Sequence, residues 1–165
     1  MKSVSTPDNK PVTIVHGVRP RDFDRYGHVN NAVAMELFEL GRQAWADQQQ
    51  ICLPDHAVPV LTRAEVDYLR EITTQQVTIV TSLHSSSYFK LEFAQTINIP
   101  SQEENIPAVS GRIHVSIIDS ETRKPMRLKH ALKQQQDEAK TSSHPDKQTT
   151  QEQNIMPGHK TPDTV

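Results

Sequence analysis

The chain is short of the residues that mark several specialised architectures. Cys52 is its only cysteine, which excludes an intrachain disulfide and a cysteine zinc site. It has 5 glycines, and no glycine-rich stretch of the kind that cradles phosphates. No apolar run approaches the roughly 20 residues of a membrane-spanning helix. Met1 to Lys10 lacks the apolar core of a secretory leader, so a cytoplasmic location is expected. A net charge of -2 argues against a general nucleic-acid binder, although local basic clusters remain. No internal repeat is present.

Apolar residues are also scarce, at 35%. The shortage is uneven. Residues 134–165 hold only Ala139, Ile155, Met156 and Val165 as apolar members, whereas 53 of the 133 residues before them are apolar. The first block can bury a core and the second cannot. The expected organisation is a flexible N-terminus (1–11), one folded domain (12–133) and a disordered polar tail (134–165). Ala131 to Lys140 has the composition to extend a terminal helix.

Within the domain the hydrophobic period changes once. Val12 to Val18 is β-branched and reads as a strand, limited by Pro20. Arg19 to Asn31 is polar and turn-prone. From Ala32 to about Gln49, the residues Ala34, Leu37, Phe38, Gly41, Ala44 and Trp45 form one helical face, with Asn30 or Asn31 as its cap. Met35 and Leu40 widen that face. Gly41 is unfavourable in mid-helix and implies close approach of a neighbouring strand backbone. Four strands are then expected, at 58–72, 77–83, 88–99 and 109–117. Ser85 to Ser87 is expected as a turn and Pro100 to Pro107 as a loop. In the third of these strands Phe89, Leu91, Phe93, Ile97 and Ile99 are expected inward, and Lys90, Glu92, Gln95 and Asn98 outward. A five-stranded antiparallel sheet wrapped around one long helix buries both with few residues, which is an α+β fold.

The stretch with chemical content is Asp24-Arg25-Tyr26-Gly27-His28-Val29-Asn30-Asn31, directly before the helix. Gly27 permits a tight turn. Free N–H groups at the helix start carry partial positive charge and suit an oxyanion formed on a carbonyl. A carboxylate beside them can act on water as a general base or attack as a nucleophile. Hydrolytic acyl transfer suits such an arrangement, although Asp and Asn before a helix also serve purely as caps.

This segment, with the Glu39-x-x-Arg42 element on the helix, resembles the signature of hotdog-fold thioesterases. The nearest group is the 4-hydroxybenzoyl-CoA thioesterase-like and long-chain acyl-CoA thioesterase family. Val66-Asp67-Tyr68-Leu69-Arg70 and Gly111 to Asp119 resemble later strands of the same family, so the likeness spans about Val12 to Leu128. It implies hydrolysis of an acyl-CoA or acyl-carrier-protein thioester to a carboxylic acid and a thiol, without cofactor or metal, in a setting such as fatty acid metabolism. By the resemblance Asp24 is the catalytic carboxylate and the backbone N–H at Asn31 the oxyanion donor. His28 fixes the loop or bonds to substrate or water, and Gly27, Asn30 and Tyr26 belong to the substrate-binding loop. Glu39 and Arg42 are read as structural.

The family also implies a homodimer or a tetramer of dimers, with the acyl chain in a channel between subunits. Tyr26, Met35 and Phe38 are candidate liners, the last two more naturally core residues. Where relatives that grip the nucleotide phosphates carry a basic run, this chain has His84-Ser85-Ser86-Ser87. Arg123, Lys124, Arg127, Lys129 and His130 form another candidate phosphate contact. The choice between coenzyme A and a carrier protein therefore stays open. Two other readings are a hotdog hydratase or dehydratase and a non-catalytic module that binds acyl thioesters.

Overall fold

A computed structural model describes residues 10–101 and 105–128. The proposed tail, the helix extension at 131–140 and most of the N-terminal segment lie outside the described residues. The elements are β1 (Val12–Gly17), a single 3-10 turn (Pro20–Asp22), α1 (Asn31–Gln48), β2 (Ala57–Tyr68), β3 (Gln76–Ser86), β4 (Lys90–Ile99) and β5 (Ile106–Asp119). The strands form one antiparallel sheet in the order β1-β3-β4-β5-β2. The expected α+β architecture, one helix against a five-stranded antiparallel sheet, is therefore present. No described helix is long and apolar enough to cross a membrane.

The helix buries the face that its period marks: Ala34, Leu37, Phe38, Gly41 and Trp45. Its contacts run along β1, β3 and β4. Phe38 is fully buried over Gly111 of β5, where an added Cβ would come 2.7 Å from the ring. Trp45 meets Phe93 edge-to-face, with ring centroids 5.0 Å apart. Ile79, Ile97 and Ile113 complete the layer between helix and sheet. Asn30 is the cap: its side-chain oxygen accepts from the Ala32 N–H at 2.9 Å. Asn30→Ala is expected to lower stability by about 1 kcal/mol, read from chemical denaturation.

Several strand details differ from expectation, each for a local reason. Ser85 and Ser86 belong to β3, opposite Glu92 and Leu91. The reversal comes later and is closed by the Ser87 N–H to the Lys90 carbonyl at 2.8 Å. A register shift between Leu83 and Ser85 adds a residue there. Phe89 sits in that reversal and is exposed, not inward. β2 ends at Tyr68 because the next two N–H groups, of Leu69 and Arg70, both turn to the Ala108 carbonyl.

Gln95 is the main correction. It is 2% exposed, and it shares the inward face with Phe93 and Ile97, as a two-residue period requires. Burial is tolerated because its amide is satisfied. The Nε2 donates to the Phe38 carbonyl and to Thr81 Oγ1, both at 2.8 Å, and the Oε1 accepts from Arg42 Nη1 at 2.9 Å. The same cluster explains Gly41. What presses against it is the side chains of Thr81, Ile79 and Gln95, not strand backbone.

Candidate active site

The loop before the helix is shaped by Asp24. Its Oδ1 accepts from the Tyr26 N–H at 2.8 Å and from the His28 N–H at 3.1 Å. Its backbone joins in: the Asp24 N–H donates to the His28 carbonyl, and the Gly27 N–H to the Asp24 carbonyl. Gly27 takes φ +78°, the left-handed conformation that glycine adopts without strain. A single bridge between Phe23 and Val29 closes the loop.

Two neighbouring segments hold this loop in place. The Val29 N–H donates to the Ile72 carbonyl and the Asn30 N–H to the Asp22 carbonyl, both at 2.9 Å. Asp22 is buried and takes three bonds from Arg19, through the backbone N–H, Nε and Nη2. The Tyr68 hydroxyl donates to the Asn31 carbonyl at 3.0 Å, tying the end of β2 to the helix start. His28 Nε2 lies 3.1 Å from Glu71 Oε2.

Asp24, His28 and Asn31 share the wall of one cleft of about 340 Å³ with Tyr68, Arg70 and Glu71. The other candidate residues are not on that wall. Gly27 makes the turn and Asn30 the cap. Tyr26 is 67% exposed and stacks beneath the Arg25 guanidinium, 4.6 Å from its ring centre. Of the family-suggested liners, Phe38 is in the core and Met35 packs against it. Tyr68 and Arg70 were visible in the sequence as a tyrosine followed by a basic residue. Glu71 had no signal there, because its role depends on facing His28 from a distant segment.

The electrostatics are lopsided. The His28 N–H, foremost, holds the Asp24 carboxyl below the usual carboxylate range. Partial burial opposes this, and the Tyr26 N–H and the nearby His28 and Arg25 charges add to the lowering. Oδ1 is committed to the loop, while Oδ2 accepts no hydrogen bond among the described residues. Asn31 is the first helical residue, so its N–H has no intrahelical acceptor. Asp24, whose carboxyl is held ionised, and Asn31, the first residue of the helix, thus line one cleft.

The model of the thioesterase-like superfamily matches residues 18–136 of the chain. No curated protein matches it. Among solved structures it is similar to a DHNA-CoA thioesterase from Staphylococcus aureus, at 17% identity and TM-score 0.68, covering 79% of this chain and 89% of that one. It is also similar to a 1,4-dihydroxy-2-naphthoyl-CoA thioesterase from Synechocystis, at 15% identity and TM-score 0.65, covering 82% and 100% of the two chains. Another protein from Staphylococcus aureus, solved in complex with CoA, matches at 13% identity and TM-score 0.65, covering 93% of this chain and 99% of that one. At such identities the likeness carries the fold.

Proposed function

This chain belongs to the thioesterase-like superfamily and has the hotdog fold, and from that premise we propose that it hydrolyses an acyl thioester to a carboxylic acid and a free thiol. The observation that carries the reading is the placement of Asp24 and Asn31 on one cleft wall, at the foot of the helix. The Asp24 carboxylate, through Oδ2, draws a proton from water or attacks the thioester carbonyl itself. Negative charge then develops on the carbonyl oxygen, and the Asn31 N–H at the positive end of the helix stabilises it. The carbon–sulfur bond breaks, and the thiolate takes up a proton as it leaves. Tyr68 and the Asn30 cap hold that N–H in position. His28, braced by Glu71, shapes the loop and the cleft wall.

Coenzyme A is the favoured carrier. Arg70 supplies a cation at the cleft, and a relative of the same fold is solved with CoA. A homodimer along the free edge of β2 accompanies this reading, because that edge leaves Val58, Leu61 and Tyr68 exposed at 38%, 46% and 47%.

The test is release of free thiol from a panel of short, long and aromatic acyl-CoAs. Turnover on at least one class supports the proposal. Loss of enoyl absorbance from an enoyl-CoA without thiol release supports a hydratase instead. Ligand protection against melting with no reaction on any substrate supports a binding module. The pH profile provides a further check. The Asp24 carboxyl is held below its ordinary value, so it stays ionised as pH falls and is protonated only below the usual range. The acid limb of kcat/KM that belongs to Asp24 is expected below the usual carboxylate range. An Asp24-dependent limb above that range would contradict the hydrogen bonding seen here.

A further inference from the structure

The Asp24 loop is a small hairpin. Its arms are tied by the Asn30 N–H to the Asp22 carbonyl at 2.9 Å and by the Asp24 N–H to the His28 carbonyl at 2.8 Å. Between these bonds Phe23 bridges Val29. Asp24 stands on the incoming arm, and Asn31 directly follows the outgoing one. The rung between Asp22 and Asn30, at the base of the hairpin, therefore sets the carboxylate against the helix start.

A charge pair holds that base. Pro20 has a fixed φ and keeps Arg19 extended, at φ -83° and ψ 153°. The chain then turns at once, and the Asp22 N–H donates to the Arg19 carbonyl at 2.9 Å. The turn brings the Asp22 carboxylate back onto Arg19. Oδ2 accepts from the Arg19 N–H and Nε, both at 2.9 Å, and Oδ1 accepts from Nη2 at 3.0 Å. Arg19 is anchored in turn. The Val18 N–H donates to the Gln75 carbonyl at 2.8 Å, and Arg19 Nη2 lies 3.9 Å from Glu36 Oε2 on the helix. The Asp22 side chain is only 6% exposed. A buried carboxylate is costly unless paired and hydrogen-bonded, and the turn is already closed by its own backbone bond.

We infer that Arg19 and Asp22 are positioning residues for Asp24, a clamp that fixes its carboxylate relative to the Asn31 N–H. Neither residue lines the cleft. They act through the Asp22 carbonyl and the Asn30 N–H. With the clamp broken the arms slacken, and the His28 N–H on the outgoing arm withdraws from Asp24 Oδ1. That N–H is the foremost cause of the low Asp24 titration, so the titration of Asp24 reports the state of the clamp. The charges of His28 and Arg25 lower it too, and breaking the clamp removes neither. Only the kinetic consequence rests on the proposed hydrolysis.

The full chain is isotope-labelled, and the Asp24 carboxyl is titrated by NMR in the parent and in Arg19→Met. In the variant the titration is expected to move up toward the ordinary carboxylate range. Exchange of the Asn30 N–H is expected to quicken about tenfold or more. On an acyl-CoA that the parent hydrolyses, kcat is expected to fall about 10- to 10²-fold with KM changed less than about threefold. Arg19→Lys keeps the charge without the fork and is expected to recover part of the loss. Asp22→Asn keeps the volume and an acceptor for the Arg19 N–H, and it tests the clamp where Arg19→Met does not fold. Ile117→Ala, in the separate apolar cluster with Ala57 and Leu128, is expected to lower the melting temperature and leave the Asp24 titration in place. An unmoved titration in the folded clamp variants overturns the inference. So does an equal movement in Ile117→Ala, which would trace it to lost stability. A moved titration in a chain that releases no thiol supports the clamp and refutes the hydrolysis alone.

Discussion

Asp24→Asn is expected to lower kcat for thioester hydrolysis by about 10²–10⁴-fold, the range typical of losing a positioned acid–base group. The substitution is well matched to the question. The new side chain keeps an oxygen where Oδ1 accepts from the Tyr26 and His28 N–H groups, so the turn has the bonds it needs. What disappears is the charge and the reactive oxygen. The fold should survive, with a melting temperature close to that of the parent chain, and KM should change little if Asp24 acts in the transition state. A folded variant with undiminished turnover would remove Asp24 from the mechanism. A variant that loses activity only by melting would assign the residue to the loop alone.

Gly41→Ala is expected to destabilise the domain by about 1–3 kcal/mol, against the sign of helix propensity. Propensity alone favours alanine by about 1 kcal/mol in a helix interior. The site decides otherwise. An added Cβ overlaps Thr81 Oγ1 and comes within 2.8 Å of Ile79 Cγ2 and 2.9 Å of Gln95 Nε2. None of the three has room to retreat. Thr81 and Ile79 are fully buried in β3, and Gln95 is held by its bonds to Phe38, Thr81 and Arg42. The helix must shift or the polar cluster must break, and either cost exceeds the propensity gain. Urea unfolding of the variant measures the balance. A stabilised Gly41→Ala would show that the helix packs more loosely on β3 and β4 than described.

Both positions could be singled out in the sequence, but for different reasons. Asp24 belongs to a contiguous motif, in which spacing to Gly27 and to the helix start is set by the chain itself. Gly41 stood out only as an anomaly in a helical face. Its cause, a buried Thr81–Gln95 pair, joins residues from two strands, and the polar type of Gln95 made it read as an outward residue. Tyr68 and Glu71 show the same boundary. Each meets the Asp24 loop or the helix start that follows it through a contact between segments about forty residues apart in the chain, Tyr68 with Asn31 and Glu71 with His28.

By itself, then, the sequence determined the local and periodic features. These are the single long helix with its buried face, the strand segments, a helix cap at Asn30 or Asn31 and the tight turn at Gly27. Each depends on the order of residues within one segment, where chain geometry leaves few choices. The tertiary structure alone decided which segments face one another. It put Tyr68 and Glu71 at the Asp24 cleft and satisfied Gln95 beneath the helix through Phe38, Thr81 and Arg42. Those outcomes follow from how the sheet wraps the helix, and no local pattern encodes the distance between residues on different strands.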